Sequence, residues 1–189
     1  MEQAGEYRLR ADRQAVWSAL NDPSVLGACI DGCESMEKTA AHGFEASVRA
    51  RVGPVSATFA ATLLLADVVE AETCTINADV KGGAAGFGKG TAHVTLTEEG
   101  EETVLSYNVK ANVGGKLAQV GSRLIDGVAR KMADDFFAQF RLIVDPDAAR
   151  RDAETADKGA QRKKPSSGRW KIWMAVIAAL VIAAVLAMQ

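Results

Sequence analysis

The residues most suggestive of chemistry form a glycine-rich segment at positions 83–91. Its letters, Gly-Ala-Ala-Gly-Phe-Gly-Lys-Gly-Thr, come close to the phosphate-binding pattern G-x-x-x-x-G-K-[ST]. That pattern needs a hydroxyl directly after the lysine to hold a metal, and a helix whose N-terminus meets the phosphates. Gly90 occupies the hydroxyl position, and the residues after it alternate like a strand. We therefore interpret the segment as a loop between two strands and not as a nucleotide site.

The histidines and cysteines lack the spacings that catalysis or metal binding requires. His42 falls in a turn and His93 on the polar face of a strand, and neither has a serine, cysteine or carboxylate at a telling spacing. The three cysteines, Cys29, Cys33 and Cys74, contain no Cys-x-x-Cys pair and favour buried, reduced thiols. We therefore expect no catalytic residue, no metal site and no intrinsic cofactor.

Hydrophobic periodicity predicts an α+β domain around these residues. A first strand and two short helices precede five segments that alternate with period two, which is typical of an antiparallel meander with one buried face. The alternating segments are 44–52, 55–65, 73–80, 91–97 and 103–109. From Leu117 to Phe140, apolar residues recur every three or four positions, so one long helix is predicted after Gly114-Gly115. We expect a curved antiparallel sheet wrapped on this long C-terminal helix.

Many of the side chains predicted to face inward are small, so the domain could contain a cavity. Alanines such as Ala46, Ala57 and Ala92 either leave space under the long helix or are covered by its own large side chains, and both interpretations stay open. If a cavity exists, we expect it to be lined by Phe59, Leu63, Phe87, Tyr107, Leu124, Phe136 and Phe140. The facing of each strand follows from alternation alone, and a slip of one residue would invert it.

The end of the chain has the composition of a membrane anchor. Residues 172–188 carry no charge, and Trp170 and Trp173 stand at the front edge of the run. A length near 30 Å and the absence of a polar face favour a spanning helix at 170–189. The composition predicts that residues 145–169 form a basic, flexible linker to a folded domain at 1–144. The membrane-interface residues are then Lys163, Lys164, Arg169, Trp170, Lys171 and Trp173.

Charge and flanking residues predict the location of the folded domain. All basic flanks precede the apolar run, which favours a single pass through the cytoplasmic membrane with the N-terminal domain in the cytoplasm. The N-terminus has neither the basic start nor the apolar core of a signal peptide. Acidic residues outnumber basic ones before Val144, which argues against nucleic acid as a partner.

Three segments carry a resemblance to a known family. The stretch Gly-Gly-Lys-Leu-Ala-Gln-Val-Gly-Ser-Arg-Leu-Ile-Asp-Gly at 114–127 resembles the opening of the last helix in the CoxG family of carbon monoxide dehydrogenase subunits. The turn at 52–55, with the strand through Phe59, and the glycine-rich loop at 82–91 are similar to that family as well. The order of elements resembles the helix-grip fold of START-type lipid-binding proteins and Bet v 1 relatives. The resemblance covers residues 1–144.

The resemblance implies a non-catalytic accessory protein. Members of the family are thought to bring a molybdenum hydroxylase, of the carbon monoxide dehydrogenase type, to the inner face of the cytoplasmic membrane. It also implies an apolar pocket for a lipophilic small molecule such as a quinone, either menaquinone or ubiquinone. Two alternatives remain: a docking domain without a ligand, and a START-like cyclase or hydrolase. Such an enzyme would have Tyr107 as its main ionisable candidate and Cys74 as its second.

Overall fold

The computed structural model describes residues 1–145 and 147–148. Residues Met1–Ala148 form one compact unit. Its strands are β1 (Glu2–Leu9), β2 (Cys33–Ala40), β3 (Gly43–Val52), β4 (Val55–Val69), β5 (Thr73–Lys81), β6 (Phe87–Glu99) and β7 (Glu102–Gly114). Its α-helices are α1 (Arg13–Leu20), α2 (Pro23–Cys29), α3 (Lys116–Gln119) and α4 (Ser122–Val144), and Gly83–Ala85 form a 3-10 turn.

The strands form one antiparallel sheet in the order β1-β7-β6-β5-β4-β3-β2. From β2 to β7 each strand pairs with its neighbour in sequence, and β1 closes the order by pairing with β7. Alternation places one side chain in two on the inner face, as in β1, where burial rises and falls with each residue up to Leu9. The sheet therefore has one face that other elements must cover.

Two aspartates fix the helices that follow β1. The Asp12 carboxylate accepts hydrogen bonds from the backbone N–H groups of Gln14 and Ala15, at 2.8 and 3.2 Å, and so caps α1. Asp22 accepts one from Ser24 at 2.8 Å, next to a proline in the first turn of α2. These caps hold Val16, Trp17 and Cys29 against the inner face of the sheet.

Helix α4 covers the rest of that face. Phe140 has no exposed surface and belongs to a core that also contains Leu9, Val16, Leu96 and Leu105. Burial of a side chain of this size contributes roughly 1.5–3 kcal/mol. A second, smaller core gathers Phe59, Ala85 and Leu117 near the glycine-rich segment.

The sequence-based expectation of an antiparallel sheet with helices is confirmed, and two details are corrected. The sequence pattern missed β2, because this strand at the edge of the sheet is mostly exposed and its polar residues do not alternate with apolar ones. The single long helix is in fact two, since Gly121 adopts φ +92° and separates α3 from α4. The predicted anchor at 170–189 and most of the linker lie outside the described residues. Among the residues that the structure describes, no helix is long and apolar enough to cross a membrane.

Gly86 allows the glycine-rich segment to contact the end of β7. Its φ is +124°, and a Cβ at this position would lie 2.1 Å from the carbonyl oxygen of Gly114. We expect Gly86→Ala to lower the free energy of unfolding by roughly 3 kcal/mol or more, because backbone must move to relieve the clash. Urea unfolding of residues 1–148, followed by tryptophan fluorescence, measures the change.

Gly83→Ala is the matched control for this variant. Gly83 also has a positive φ, +55°, but a Cβ there meets nothing within 4 Å. Gly83→Ala should lower the free energy of unfolding only by the backbone strain of a left-handed alanine, about 1–2 kcal/mol. Equal losses in the two variants would show that the contact with Gly114 contributes nothing.

Candidate ligand cavity

An apolar cavity of about 300 Å³ lies between α4 and the inner face of the sheet. It exists because Ala92 on β6 and Ala133 on α4 both line it and carry only a methyl group where larger side chains would fill the space. Apart from the Tyr107 hydroxyl, the Asn21 amide and the Cys74 thiol, its walls are hydrocarbon, aromatic or thioether groups. The remaining lining side chains are Trp17, Leu20, Leu26, Ile30, Met36, Phe44, Leu63, Leu65, Ile76, Val94, Leu105, Phe136 and Phe137.

The structure brings together three of the seven side chains that the sequence suggested as a lining. Leu63 and Tyr107 face the cavity from the sheet, and Phe136 faces it from α4. These three positions follow from alternation in the strands and from the apolar stripe of the helix. Their role in binding a ligand stays a prediction.

The other four residues of that set lie elsewhere, for separate reasons. Phe140 is one turn further along α4 and is fully buried in the main core, and Phe59 belongs to the second core. Phe87, the first residue of β6, is 48% exposed and lies over Gly114 at the end of β7. Leu124 is 43% exposed at the start of α4, beside the Gly53 turn. Period-two alternation predicts which face of the sheet a side chain points to. It does not predict whether the residue lies at the level of the cavity along its strand.

The lining residues that sequence reasoning missed come mainly from the two short helices. Trp17, Leu20 and Leu26 reach the cavity from α1 and α2, and Ile30 follows α2. Their types are apolar, but only the tertiary position of the helix pair shows which space they line. Trp17 is 8% exposed and is the only tryptophan of residues 1–148. Its fluorescence therefore reports directly on the contents of the cavity.

Stacked aromatic rings close the cavity on the β1 side. The Tyr7 and Phe137 rings stack with centroids 3.9 Å apart, and the Tyr107 ring lies 6.1 Å from each of them. The Tyr7 hydroxyl donates a hydrogen bond of 2.7 Å to Oδ1 of Asp134 on α4. Burial, reinforced by this bond, raises the pKa of Tyr7 well above its ordinary value. This side of α4 is thus joined to the edge of the sheet.

The opposite side of α4 borders an open cleft of about 460 Å³. Ile30 and Phe136 line both spaces, so they stand between the apolar cavity and the cleft. In contrast to the inner space, the cleft is lined by several charged residues: Asp31, Arg49, Arg51, Lys131 and Asp135. We call these two spaces the inner cavity and the outer cleft.

The structure places two cysteines and one histidine relative to these spaces. Burial raises the pKa of the Cys29 and Cys74 thiols, which keeps them protonated and weakly nucleophilic. His93 lies 3.0 Å from the Thr75 hydroxyl through Nδ1 and is exposed on the outer face of the sheet, away from the inner cavity. Within the described part of the chain, no three metal-ligating side chains come together.

Comparison with known proteins identifies the family model that this chain matches. The model for CoxG, described as a subunit of carbon monoxide dehydrogenase, matches residues 5–144. No curated protein matches the chain.

Several solved structures share the fold. A conserved protein from Geobacillus kaustophilus is similar with a TM-score of 0.72 and 30% identity, over 78% of this chain and 97% of that one. A START superfamily protein from Mycobacterium smegmatis has a TM-score of 0.60 at 12% identity, over 77% and 97% of the two chains. A Thermus thermophilus protein has a TM-score of 0.60 at 13% identity, over 78% and 99%. These solved chains are covered almost completely, so the fold forms in them without a further domain.

The contact between Tyr7 and Asp134 gives a prediction for alkaline pH. A raised pKa in the folded state means that the protonated hydroxyl stabilises the fold below about pH 10, and that this contribution is lost as the pH rises further. Tyr7→Phe should cost about 1 kcal/mol at neutral pH through the lost hydrogen bond. The variant should also lose stability less steeply than the wild type above about pH 10. Urea unfolding of residues 1–148 across this range measures both effects.

Tyr107→Phe is the comparison variant, since it removes the other tyrosine hydroxyl of the chain, which adds to the raised pKa of Tyr7, but keeps the hydrogen bond between Tyr7 and Asp134. Parallel alkaline curves for Tyr7→Phe and the wild type would contradict a structural role for the Tyr7 hydroxyl.

Proposed function

Since this chain belongs to the CoxG family of carbon monoxide dehydrogenase subunits, we propose that it recruits a molybdenum hydroxylase of the carbon monoxide dehydrogenase type to the cytoplasmic membrane. In this proposal it also holds a lipophilic ligand, a menaquinone or ubiquinone, in the inner cavity. The family match and the START-like fold support an accessory role for carbon monoxide dehydrogenase. Recruitment to the membrane and binding of a quinone go beyond this support and are part of the proposal.

The inner cavity is the observation that carries the ligand part of the proposal. Small-molecule pockets usually enclose ~300–1,000 Å³ and combine apolar walls with a few polar groups. The inner cavity, at about 300 Å³, meets this description. The Asn21 amide donates to the Trp17 carbonyl oxygen at 2.9 Å, and the Tyr107 hydroxyl lies over Gly5 and interacts with Tyr7, so the surface that a ligand meets is almost entirely apolar. A quinone ring with the start of its tail fits these properties better than a polar metabolite does.

The membrane part of the proposal comes from the end of the sequence. An anchor at 170–189, joined through the predicted basic linker, would hold the folded domain close to the bilayer surface. A tether raises the effective concentration of any docked enzyme at the membrane without adding a contact. The same tether would keep the inner cavity within reach of membrane quinones.

The two alternative functions explain the structure less well. A docking domain without a ligand has no use for an apolar cavity, since a filled core would be more stable. An enzyme needs a positioned acid, base or nucleophile. The inner cavity offers only Tyr107 and a Cys74 thiol whose pKa is raised by burial. The proposal therefore assigns no catalytic residue.

Quinone binding predicts saturable quenching of Trp17. Residues 1–148 are titrated with short-chain menaquinone and ubiquinone analogues, and emission should fall to a plateau near one equivalent. Ala92→Phe should abolish the quenching, because its ring occupies the inner cavity. Ala60→Phe, on the exposed face of β4, is the matched control and should bind as the wild type does. Linear quenching without a plateau, equal in the wild type and both variants, would contradict quinone binding. The remaining interpretation would be a docking domain without a ligand.

The membrane part of the proposal is tested by sedimentation with vesicles. The full chain should pellet with vesicles of bacterial lipid, whereas residues 1–148 should remain in the supernatant. Purified carbon monoxide dehydrogenase should pellet with the vesicles only when the full chain is added. If the full chain pellets but the enzyme stays in the supernatant, the result would support the membrane anchor and contradict the proposed partner.

A further inference from the structure

Three connections between strands and helices meet at one end of the sheet, which we call the glycine-rich end. They are the β3–β4 turn at 53–54, the segment 82–86 between β5 and β6, and residues 115–121, which contain α3. The antiparallel order from β3 to β7 brings all three to the same end. The second core, with Phe59, Ala85 and Leu117, packs them against one another. The glycine-rich end is therefore held in place by a core of its own.

The charges of the folded domain are separated along the strands. The stretches that run into the glycine-rich end, 46–66, 80–97 and 103–125, contain no aspartate or glutamate. Their basic residues are Arg49, Arg51, Lys81, Lys89, Lys110, Lys116 and Arg123. Acidic residues instead surround the β4–β5 and β6–β7 turns at the opposite end: Asp67, Glu70, Glu72, Glu98, Glu99, Glu101 and Glu102. One end of the domain is thus positive and the other negative.

Three cations of the glycine-rich end have no acidic partner. Lys81, Lys116 and Arg123 are exposed, and among the described residues no carboxylate oxygen lies within 4.0 Å of their charged nitrogens. Asp79, which precedes Lys81 by two positions, is already paired with Lys89 at 2.9 Å. These three charges can therefore attract an external anion.

Large apolar side chains are exposed among these cations. Phe87 is 48% exposed and lies opposite Lys81 in the register of β5 and β6. Leu124 follows Arg123 and is 43% exposed, and Pro54 in the β3–β4 turn is exposed as well. A purely polar anion leaves such side chains in water, whereas the surface of a bilayer takes up aromatic and aliphatic groups at the level of its headgroups. The combination favours an anionic lipid surface over a nucleic acid.

We propose that the glycine-rich end of the folded domain docks on the surface of an anionic bilayer. Lys81, Lys116 and Arg123 face the lipid phosphates, and Phe87 and Leu124 enter the headgroup region. The charge separation orients the domain, because the same surface repels the acidic end. This docking surface goes beyond the proposed anchor, since it consists of described residues alone and requires neither the anchor nor a quinone.

The contact is weak at ordinary salt concentration. Charges in solution are screened over about 8 Å at 0.15 M salt but over about 30 Å at 0.01 M. Residues 1–148 should therefore bind vesicles only at low salt, which agrees with the expectation that this part of the chain does not pellet without the anchor. In the full chain, a tether would supply the local concentration that the docking surface needs.

Vesicle titration at low salt tests the docking surface. Residues 1–148 are mixed with vesicles of phosphatidylcholine, with or without phosphatidylglycerol, and the bound fraction is measured by sedimentation. At about 0.01 M salt the partition coefficient should be about tenfold higher for the anionic vesicles, or more. This preference should disappear at about 0.15 M salt, because the charges are then screened.

Two triple variants locate the effect on the surface of the domain. The test variant replaces the three unpaired cations of the glycine-rich end: Lys81→Gln, Lys116→Gln and Arg123→Gln. The matched control removes three exposed cations from the opposite end: Arg8→Gln, Arg10→Gln and Lys38→Gln. Both variants have the same net charge, so they differ only in where the charge is lost. The test variant should bind both kinds of vesicle equally, whereas the control should keep the preference of the wild type.

Phe87→Ser tests the apolar part of the contact. If the ring enters the headgroup region, its loss should lower the partition coefficient several-fold and keep the preference for anionic lipid. A partition coefficient equal to that of the wild type would exclude Phe87 from the docking surface.

The results that would overturn the docking surface are distinct from those that concern the anchor. Equal partition of the wild type into both kinds of vesicle at low salt would overturn it, even if the full chain pellets through its anchor. Loss of the preference in both triple variants would also overturn it, because net charge would then explain the binding. Tighter binding of a short DNA duplex than of the anionic vesicles would assign the glycine-rich end to nucleic acid instead.

Discussion

The structure depends on one constraint: a seven-stranded sheet with one apolar face must have that face covered. Helix α4 provides most of the cover, and Phe140, with no exposed surface, is its most deeply buried contact with the sheet. The Tyr7–Asp134 hydrogen bond joins the same helix to the edge strand β1. On the other side α4 faces the place where β2 stops pairing with β3. The inner cavity is closed on the first side and borders the outer cleft on the second because the cover is asymmetric.

An apolar cavity that is not filled by side chains costs stability. In cores, each Å³ of such space lowers the free energy of unfolding by roughly 20–25 cal/mol. A space of this size therefore lowers the stability of the fold by several kcal/mol if it stays empty. One larger side chain in place of Ala92 or Ala133 would remove much of that cost. A ligand that fills the cavity would recover the missing contacts and raise the stability of the folded domain.

The sequence predicted the central part of the fold because alternation and helical spacing are local properties. The strands from β3 to β7 and the apolar stripe that contains Phe136 are such cases. It could not predict β2, which lies at the edge with few apolar residues, or the break at Gly121, which depends on a backbone angle. The cavity was harder still, since Leu26 and Ile30 line it only through the tertiary position of α2.

The unpaired stretch of β3 beyond Val48 has a consequence for the behaviour of the protein in solution. Open strand edges are templates on which other chains can add strands, and proteins often protect them with charged side chains. Arg49 and Arg51 lie on this edge, and their positive charges discourage edge-to-edge aggregation. Loss of either arginine would then weaken the protection of this edge and lower the colloidal stability of the protein.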